Sequence, residues 1–317
     1  MINAVISGSG SYLPERQLKN TELEAMLDTT HEWIHSRTGI SSRRVVSAHE
    51  TTSFMASEAA KKAVEASGLD VNEIDLILVA TCTPDHFFPS MACYVQKALA
   101  ISRPIPAFDI GAACSGFVYA MDIAKQYIAS GTAHHVLVIG SESMTRAVDW
   151  TDRTTCVLFG DGAGAVVLSA SDKPGIIGSI LHSAYDQDKL LTYAAYGDDE
   201  KRPLISMRGN EVFKIAVNIM GDIVDEVLAA SNLQKSDINW LVPHQANIRI
   251  IQAIAKKLSL PMSQVIVTIE HQGNTSAASI PLALDFSIRE RRIKRGDLLL
   301  LESFGGGMTW GAMIIRY

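Results

Sequence analysis

The stretch Ala66-Ser67-Gly68-Leu69, with Ile74-Asp75 behind it, returns 164 residues later as Ala230-Ser231-Asn232-Leu233 with Ile238-Asn239. Each copy follows apolar residues at helical spacing: Met55, Ala59, Ala63 and Val64 before the first, and Phe213, Ala216, Val217, Met220, Val224 and Val227 before the second. Each precedes a short apolar run, 76–80 or 240–242, of the kind that makes a strand buried on both faces. A second echo pairs Phe159-Gly160-Asp161-Gly162, leading into 165–168, with Phe304-Gly305-Gly306-Gly307, leading into 312–315. Before each of these comes a predicted helix, a glycine and a strand: 115–130, Gly131 and 136–139 in one, 276–295, Gly296 and 298–301 in the other. The repeated unit predicts two duplicated α/β halves, residues 1–170 and 171–317, stacked in α/β/α/β/α layers. No Pro/Gly/Ser-rich linker separates them, so they are expected to pack as one body.

Length and charge agree with this organisation. A chain of 317 residues corresponds to two units of roughly 150 residues and is too large for a small disulfide- or metal-stapled scaffold. Lys and Arg number 28 against 34 Asp and Glu, and the net charge of −6 argues against a general nucleic-acid or anionic-membrane binder. Cys82, Cys93, Cys114 and Cys156 show no CxxC spacing, which excludes a zinc ribbon or dense disulfide framework and fits a reducing, cytoplasmic setting. Residues 1–10 lack a basic n-region and read as a first strand rather than a signal peptide. The longest apolar runs, such as 136–139 and 298–301, fall far short of the roughly 18 residues of a spanning helix.

Chemistry concentrates in three places. In Asp109-Ile110-Gly111-Ala112-Ala113-Cys114-Ser115-Gly116 a strand ends in small residues and an apolar helix begins, its polar stripe limited to Asp122, Lys125 and Gln126. Cys114 is thereby expected at the positive end of a buried helix, where the thiolate is favoured and backbone N–H groups can hold an oxyanion. A free cysteine is equally often a small buried hydrophobe, and that is the reading for Cys82, Cys93 and Cys156. In Val242-Pro243-His244-Gln245-Ala246-Asn247 a histidine follows a strand, and in Gln272-Gly273-Asn274-Thr275-Ser276 an asparagine sits where a helix starts. By the internal repeat, Asn274 is expected at the place Cys114 holds in the first half. Imidazole and amide N–H groups can converge on one carbonyl oxygen and stabilise an enolate; their ordinary alternatives are a backbone-bonded histidine and a helix cap.

The runs 109–117 and 241–247, Gly273-Asn274-Thr275-Ser276-Ala277-Ala278-Ser279 and Phe304-Gly305-Gly306-Gly307 resemble the 3-oxoacyl-[acyl-carrier-protein] synthase III family. The resemblance extends along the chain through Ser9-Gly10-Ser11-Tyr12-Leu13-Pro14, Glu32-Trp33-Ile34, Arg37-Thr38-Gly39-Ile40, Phe88-Pro89-Ser90 and Phe159-Gly160-Asp161-Gly162-Ala163-Gly164. It implies the thiolase fold and a two-stage reaction. Cys114 is acylated by an acyl-CoA, acetyl-CoA first among them, and a malonyl-[acyl-carrier-protein] then loses CO2 and condenses with the acyl group, as at the start of bacterial fatty acid synthesis. His244 and Asn274 match the pair that holds the malonyl thioester oxygen, the N–H groups of Cys114 and Gly306 the acylation oxyanion hole, and Phe304 the residue beside the decarboxylating group.

The same resemblance assigns Trp33 and Arg153 to the adenine of CoA, and Thr29, Arg37, Asn210, Asn247 and Arg249 to the rest of the nucleotide and pantetheine path. It makes Lys214, Arg249, Lys256 and Lys257 a docking face for the acidic carrier protein, and Phe88 a wall of the partner subunit's acyl pocket in a homodimer. No cofactor or metal is implied, CoA thioesters and carrier protein being substrates. Two rival readings differ in class. His31-Glu32-Trp33-Ile34-His35 satisfies HExxH, but Gly39 ends the helix before a zinc hydrolase could be built on it. Related enzymes prime polyketide or signalling-molecule pathways, some with malonyl-CoA. The segment 182–203, with Ala184-Tyr185-Asp186-Gln187-Asp188, lacks the Gly-rich turn of the family and leaves the tunnel shape and the acyl preference open.

Overall fold

In the computed structural model, which describes residues 2–194 and 204–317, the repeat is two sheets with the same strand order. The first runs Ala107–Ile110, Leu76–Ala80, His135–Ser143, Asp161–Ser171, Asn3–Tyr12; its first three strands are parallel and each of the last two is antiparallel to its neighbour. The second runs Trp240–Pro243, Leu298–Gly305, Thr309–Arg316, Ile176–Ser183 in the same sense, and an isolated parallel bridge from Leu241 to Val265 stands where the fifth strand would be. The repeated Ala-Ser-Gly/Asn-Leu sequence marks a helix stop in each half. Gly68 and Asn232 both take left-handed backbone, φ 73° and 52°, a conformation open to glycine and tolerated by asparagine.

Alternation along the strands explains why they are apolar throughout. Leu76, Leu78, Val136, Val138, Leu299 and Leu301 point into a central core. Ile77, Val79, Leu137 and Ile139 face the outer helices Thr52–Ser67 and Met91–Ala98, while Leu298 and Leu300 face Gly209–Ala230 and Ile248–Lys257. The central layer is the helix pair Gly116–Ala129 and Ser279–Arg289, which packs between the sheets. Both helices are prefaced by a short 3-10 turn, Ala113–Ser115 or Ser276–Ala278. The helix expected over 276–295 stops at Arg289, because Arg291 turns left-handed at φ 57°.

The turns reach the sheets through a glycine. A Cβ on Gly140 would lie 2.3 Å from the carbonyl oxygen of Ala277, a contact neither backbone can yield. Gly140→Ala is expected to cost about 3 kcal/mol, the upper range for overpacking, seen in urea unfolding as a lower midpoint at unchanged slope. A wild-type midpoint would contradict this packing. Among the described residues no helix is long and apolar enough to cross a membrane.

Candidate active site

Three hydroxyl groups fasten the Cys114 turn to the second sheet. Ser303 Oγ donates to the carbonyl of Cys114 at 2.7 Å, Ser115 Oγ to that of Thr309 at 2.9 Å, and Thr309 Oγ1 to that of Ala112 at 2.9 Å. Gly305 allows the approach, since a Cβ there would stand 2.7 Å from Cys114 N. Cys114 belongs to the 3-10 turn, two residues ahead of Gly116, and Ala113 beside it is left-handed at φ 45°. Its environment corrects the expectation of a favoured thiolate: burial pushes the thiol up to about 11. Below that value the thiolate fraction rises about tenfold per pH unit. Alkylation of Cys114 by iodoacetamide, followed by peptide mass spectrometry, should accelerate by that factor for each unit, roughly a hundredfold between pH 7 and 9, and a flat profile would contradict the raised thiol.

His244 follows the strand Trp240–Pro243 and is fixed at both ends, its N–H donating to Glu302 O at 2.9 Å and its Nδ1 lying 2.6 Å from Ser279 Oγ. Burial lowers its pKa to about 3, so the ring is neutral at physiological pH and presents Nε2 to the cavity. Asn274 is held by backbone on three sides: its N donates to Leu158 O at 2.9 Å, its O accepts from Gly160 N at 3.0 Å, and its Oδ1 accepts from Ser276 N at 2.9 Å. With Oδ1 engaged, the side-chain NH2 is left to donate. The backbone counterpart of Cys114 is not Asn274, as the repeat suggested. The matched 3-10 turns, with left-handed Ala113 and Ser276 (φ 45° and 50°), put Ala277 opposite Cys114 and Asn274 opposite Gly111. The asparagine enters the site from before its turn.

Cys114, His244, Asn274, Phe304 and Gly306 line one cavity of about 1190 Å³. Cys82 lines it too, while also packing, as expected, against the core cluster that holds Met144 and Cys156. Its Sγ donates to Glu142 Oε1 at 3.2 Å, and that buried carboxylate also accepts from Thr83 Oγ1 at 2.6 Å. Burial, reinforced by Glu142, holds the Cys82 thiol well above its ordinary range. Cys93 lies exposed on its helix rather than packed, and Cys156 is buried away from the cavity. Sequence reasoning gave no role to Ser303, Thr309 or Ser279; Ser303 stands directly before the Phe-Gly-Gly-Gly run and Ser279 closes the run 273–279, while Thr309 had no local signal.

Toward the mouth, Trp33, Arg37, Asn210, Asn247 and Arg249 line the cavity, as does Phe88, 87% exposed. Thr29 does not, and its Oγ1 is buried without a protein partner. Arg153 stacks directly on Trp33, its Cζ 5.1 Å from the ring centroid, rather than standing off to leave a slot. The cation finds the indole face and is tethered by donating to Asp28 O. Lys214, Arg249 and Lys256 are exposed. Lys257 is exposed with them and reaches over Gly221 to pair with Asp222 at 2.7 Å.

The HExxH residues occupy an eight-residue helix, His31–Thr38, closed by left-handed Gly39 at φ 76°. His31 and His35 stack with centroids 5.7 Å apart, and His31 Nδ1 lies 3.3 Å from Asn20 Nδ2. Beyond Ser183, Ala184 N and Asp186 N donate to Met308 O and Gly307 O, both at 2.9 Å, so the unusual stretch is tied to the end of the active-site loop. Leu191–Tyr193 then pairs with Ile205–Met207, and the remainder of the departure, 195–203, lies outside the described residues.

Two family models match, 3-oxoacyl-[acyl-carrier-protein] synthase III over residues 108–184 and the C-terminal part of that enzyme over 228–317. A beta-ketoacyl-[acyl-carrier-protein] synthase III of Alkalilimnicola ehrlichii is 56% identical, with all of both chains covered. The crystal structure of the synthase III from Aquifex aeolicus superposes with a TM-score of 0.94 at 48% identity, covering 99% of this chain and 100% of that one. The priming beta-ketosynthase of the R1128 polyketide pathway also superposes at 0.94, with 37% identity and coverage of 99% and 96%. Relatives alike over their full length at this identity, and solved structures that superpose over 99% of the chain, show that the chain belongs to the 3-oxoacyl-[acyl-carrier-protein] synthase III family, the condensing enzymes that initiate fatty acid synthesis.

Proposed function

We propose that Cys114, His244 and Asn274 carry out a two-stage acyl transfer and condensation, with acetyl-CoA as first substrate and a malonyl-[acyl-carrier-protein] as extender. The observation that carries this reading is the convergence of a thiol from the first half and two N–H donors from the second on one cavity. The Cys114 thiolate attacks the thioester carbonyl and CoA leaves as the thiolate, taking up the proton. The malonyl C–C bond to the carboxylate then breaks, CO2 departs, and the electron pair is held as an enolate by His244 Nε2–H and the Asn274 amide. The enolate carbon bonds to the acyl carbon and Cys114 leaves as thiolate, so the nucleophile is regenerated. No cofactor enters this scheme. The apolar wall of Phe304 favours release of uncharged CO2 from a carboxylate.

Mass spectrometry of the protein mixed with acetyl-CoA should show one acetyl adduct on Cys114, and its absence would overturn the reading. Turnover with malonyl-carrier protein, malonyl-CoA and a series of longer acyl-CoAs separates fatty acid initiation from a specialised priming role. Trp33→Ala should weaken CoA binding about tenfold, the scale of one lost base–aromatic stack, as read by calorimetry, with acylation at saturating acyl-CoA unchanged.

Exposed Lys214, Arg249 and Lys256 support docking of an acidic carrier protein. Phe87 and Phe88, 77% and 87% exposed next to the edge strand Ala107–Ile110, support a homodimer covering that edge. Sedimentation velocity tests it. The halves 1–170 and 171–317 are taken as the two evolutionary units, and the four unpaired cysteines suit a cytoplasmic protein.

A further inference from the structure

We propose that Ser279 is a positioning residue that sets the tautomer of His244, donating its hydroxyl proton to Nδ1 so that the imidazole carries its own proton on Nε2, facing the cavity. The inference rests on the functional reading above for its consequence and on hydrogen-bond arithmetic for its content. Ser279 Oγ has two recorded neighbours, His244 Nδ1 at 2.6 Å and the backbone N–H of Gln245 at 3.4 Å. The second can only donate, so it uses a lone pair of Oγ. The hydroxyl proton then has one acceptor, Nδ1. The reverse arrangement, with Nδ1–H donating, would leave the Ser279 proton without a partner at a residue 1% exposed, at the cost of an unmade buried hydrogen bond.

The surroundings hold both partners in place. Ser279 is the first residue of the buried helix Ser279–Arg289. The His244 backbone is pinned to Glu302 O. The next residue, Gln245, is locked by its side chain: Nε2 donates to Pro243 O and Ile266 O at 2.9 and 3.1 Å, and Oε1 accepts from Thr268 N at 2.8 Å. A neutral imidazole has one donor and one acceptor nitrogen, and the bond made by one decides the other. Only the Nε2–H form lets His244 and Asn274 donate to the same enolate oxygen; the other tautomer would turn a lone pair toward it.

NMR of protein labelled with 15N-histidine, with His244 assigned through His244→Asn, reads the tautomer directly. The expected spectrum has Nδ1 unprotonated and Nε2 protonated, and a proton on Nδ1 overturns the proposal whatever the protein catalyses. In Ser279→Ala, kcat for CO2 release from the malonyl thioester should fall roughly 10–100-fold, the scale seen when outer-shell partners of metal-bound histidines are removed. KM for that thioester and the rate of Cys114 acylation should stay close to wild type. Wild-type CO2 release in the variant, or an equal loss in acylation and condensation, would also overturn it. A wild-type protein without condensing activity would defeat the functional reading and leave the NMR result to decide Ser279.

Discussion

Cys114→Ala is expected to lower turnover by about 10⁴-fold or more, the scale of losing a covalent nucleophile, with no acyl adduct detected by mass spectrometry after incubation with acyl-CoA. The structure offers no substitute among the described residues within the turn. Ser115 Oγ is committed to Thr309 O at 2.9 Å, and Cys82, the other thiol lining the cavity, donates to Glu142 and is held protonated by burial beside that carboxylate. The fold should survive the change, because the turn is held through the backbone of residue 114, whose carbonyl accepts from Ser303, rather than through the thiol. An acyl adduct on any other residue at a wild-type rate would remove Cys114 from the mechanism.

The second large effect is expected for Asn274→Asp. The carboxylate keeps the one side-chain bond that orients this residue, accepting from Ser276 N as Asn274 Oδ1 does at 2.9 Å, and replaces the donating NH2 by an acceptor. A negative charge then faces the oxygen on which the enolate charge builds, so decarboxylation should fall by more than the roughly 10²–10³-fold typical of losing one oxyanion donor. Acylation of Cys114, which precedes the enolate, should be retained. Release of labelled CO2 from malonyl thioester, set beside adduct formation, reads both stages. Equal loss in the two would place Asn274 in the fold instead. His244→Ala should show the same split between stages. The double variant should lose less than the product of the single losses, since both donors serve one oxygen.

The duplicated architecture was legible because its signals are local and periodic. The glycine or asparagine of each Ala-Ser-Gly/Asn-Leu copy is a left-handed helix stop, and the apolar runs are strands covered on both faces. The turns that carry Cys114, His244 and Asn274 were legible because small residues and strand ends mark places where side chains can be presented; their assigned roles came from the family resemblance. Assigning Asn274 as the counterpart of Cys114 failed by three residues, since sequence spacing does not reveal where a 3-10 turn begins. The pairing of Lys257 was not legible, because a helical projection shows which face a lysine leaves from, not that Asp222 of the neighbouring helix lies beside it.

From its sequence alone, then, this chain declares two α/β halves and the turns that present the three candidate side chains, because helix stops, buried strands and turns are written in runs of neighbouring residues. What the tertiary structure decided is the state of those side chains. The Cys114 thiol near 11 and the His244 ring near 3 are consequences of burial. The tautomer of that ring depends on Ser279, 35 residues away. Desolvation and hydrogen-bond partnership are properties of what surrounds a group in space, and no local pattern of residues encodes them.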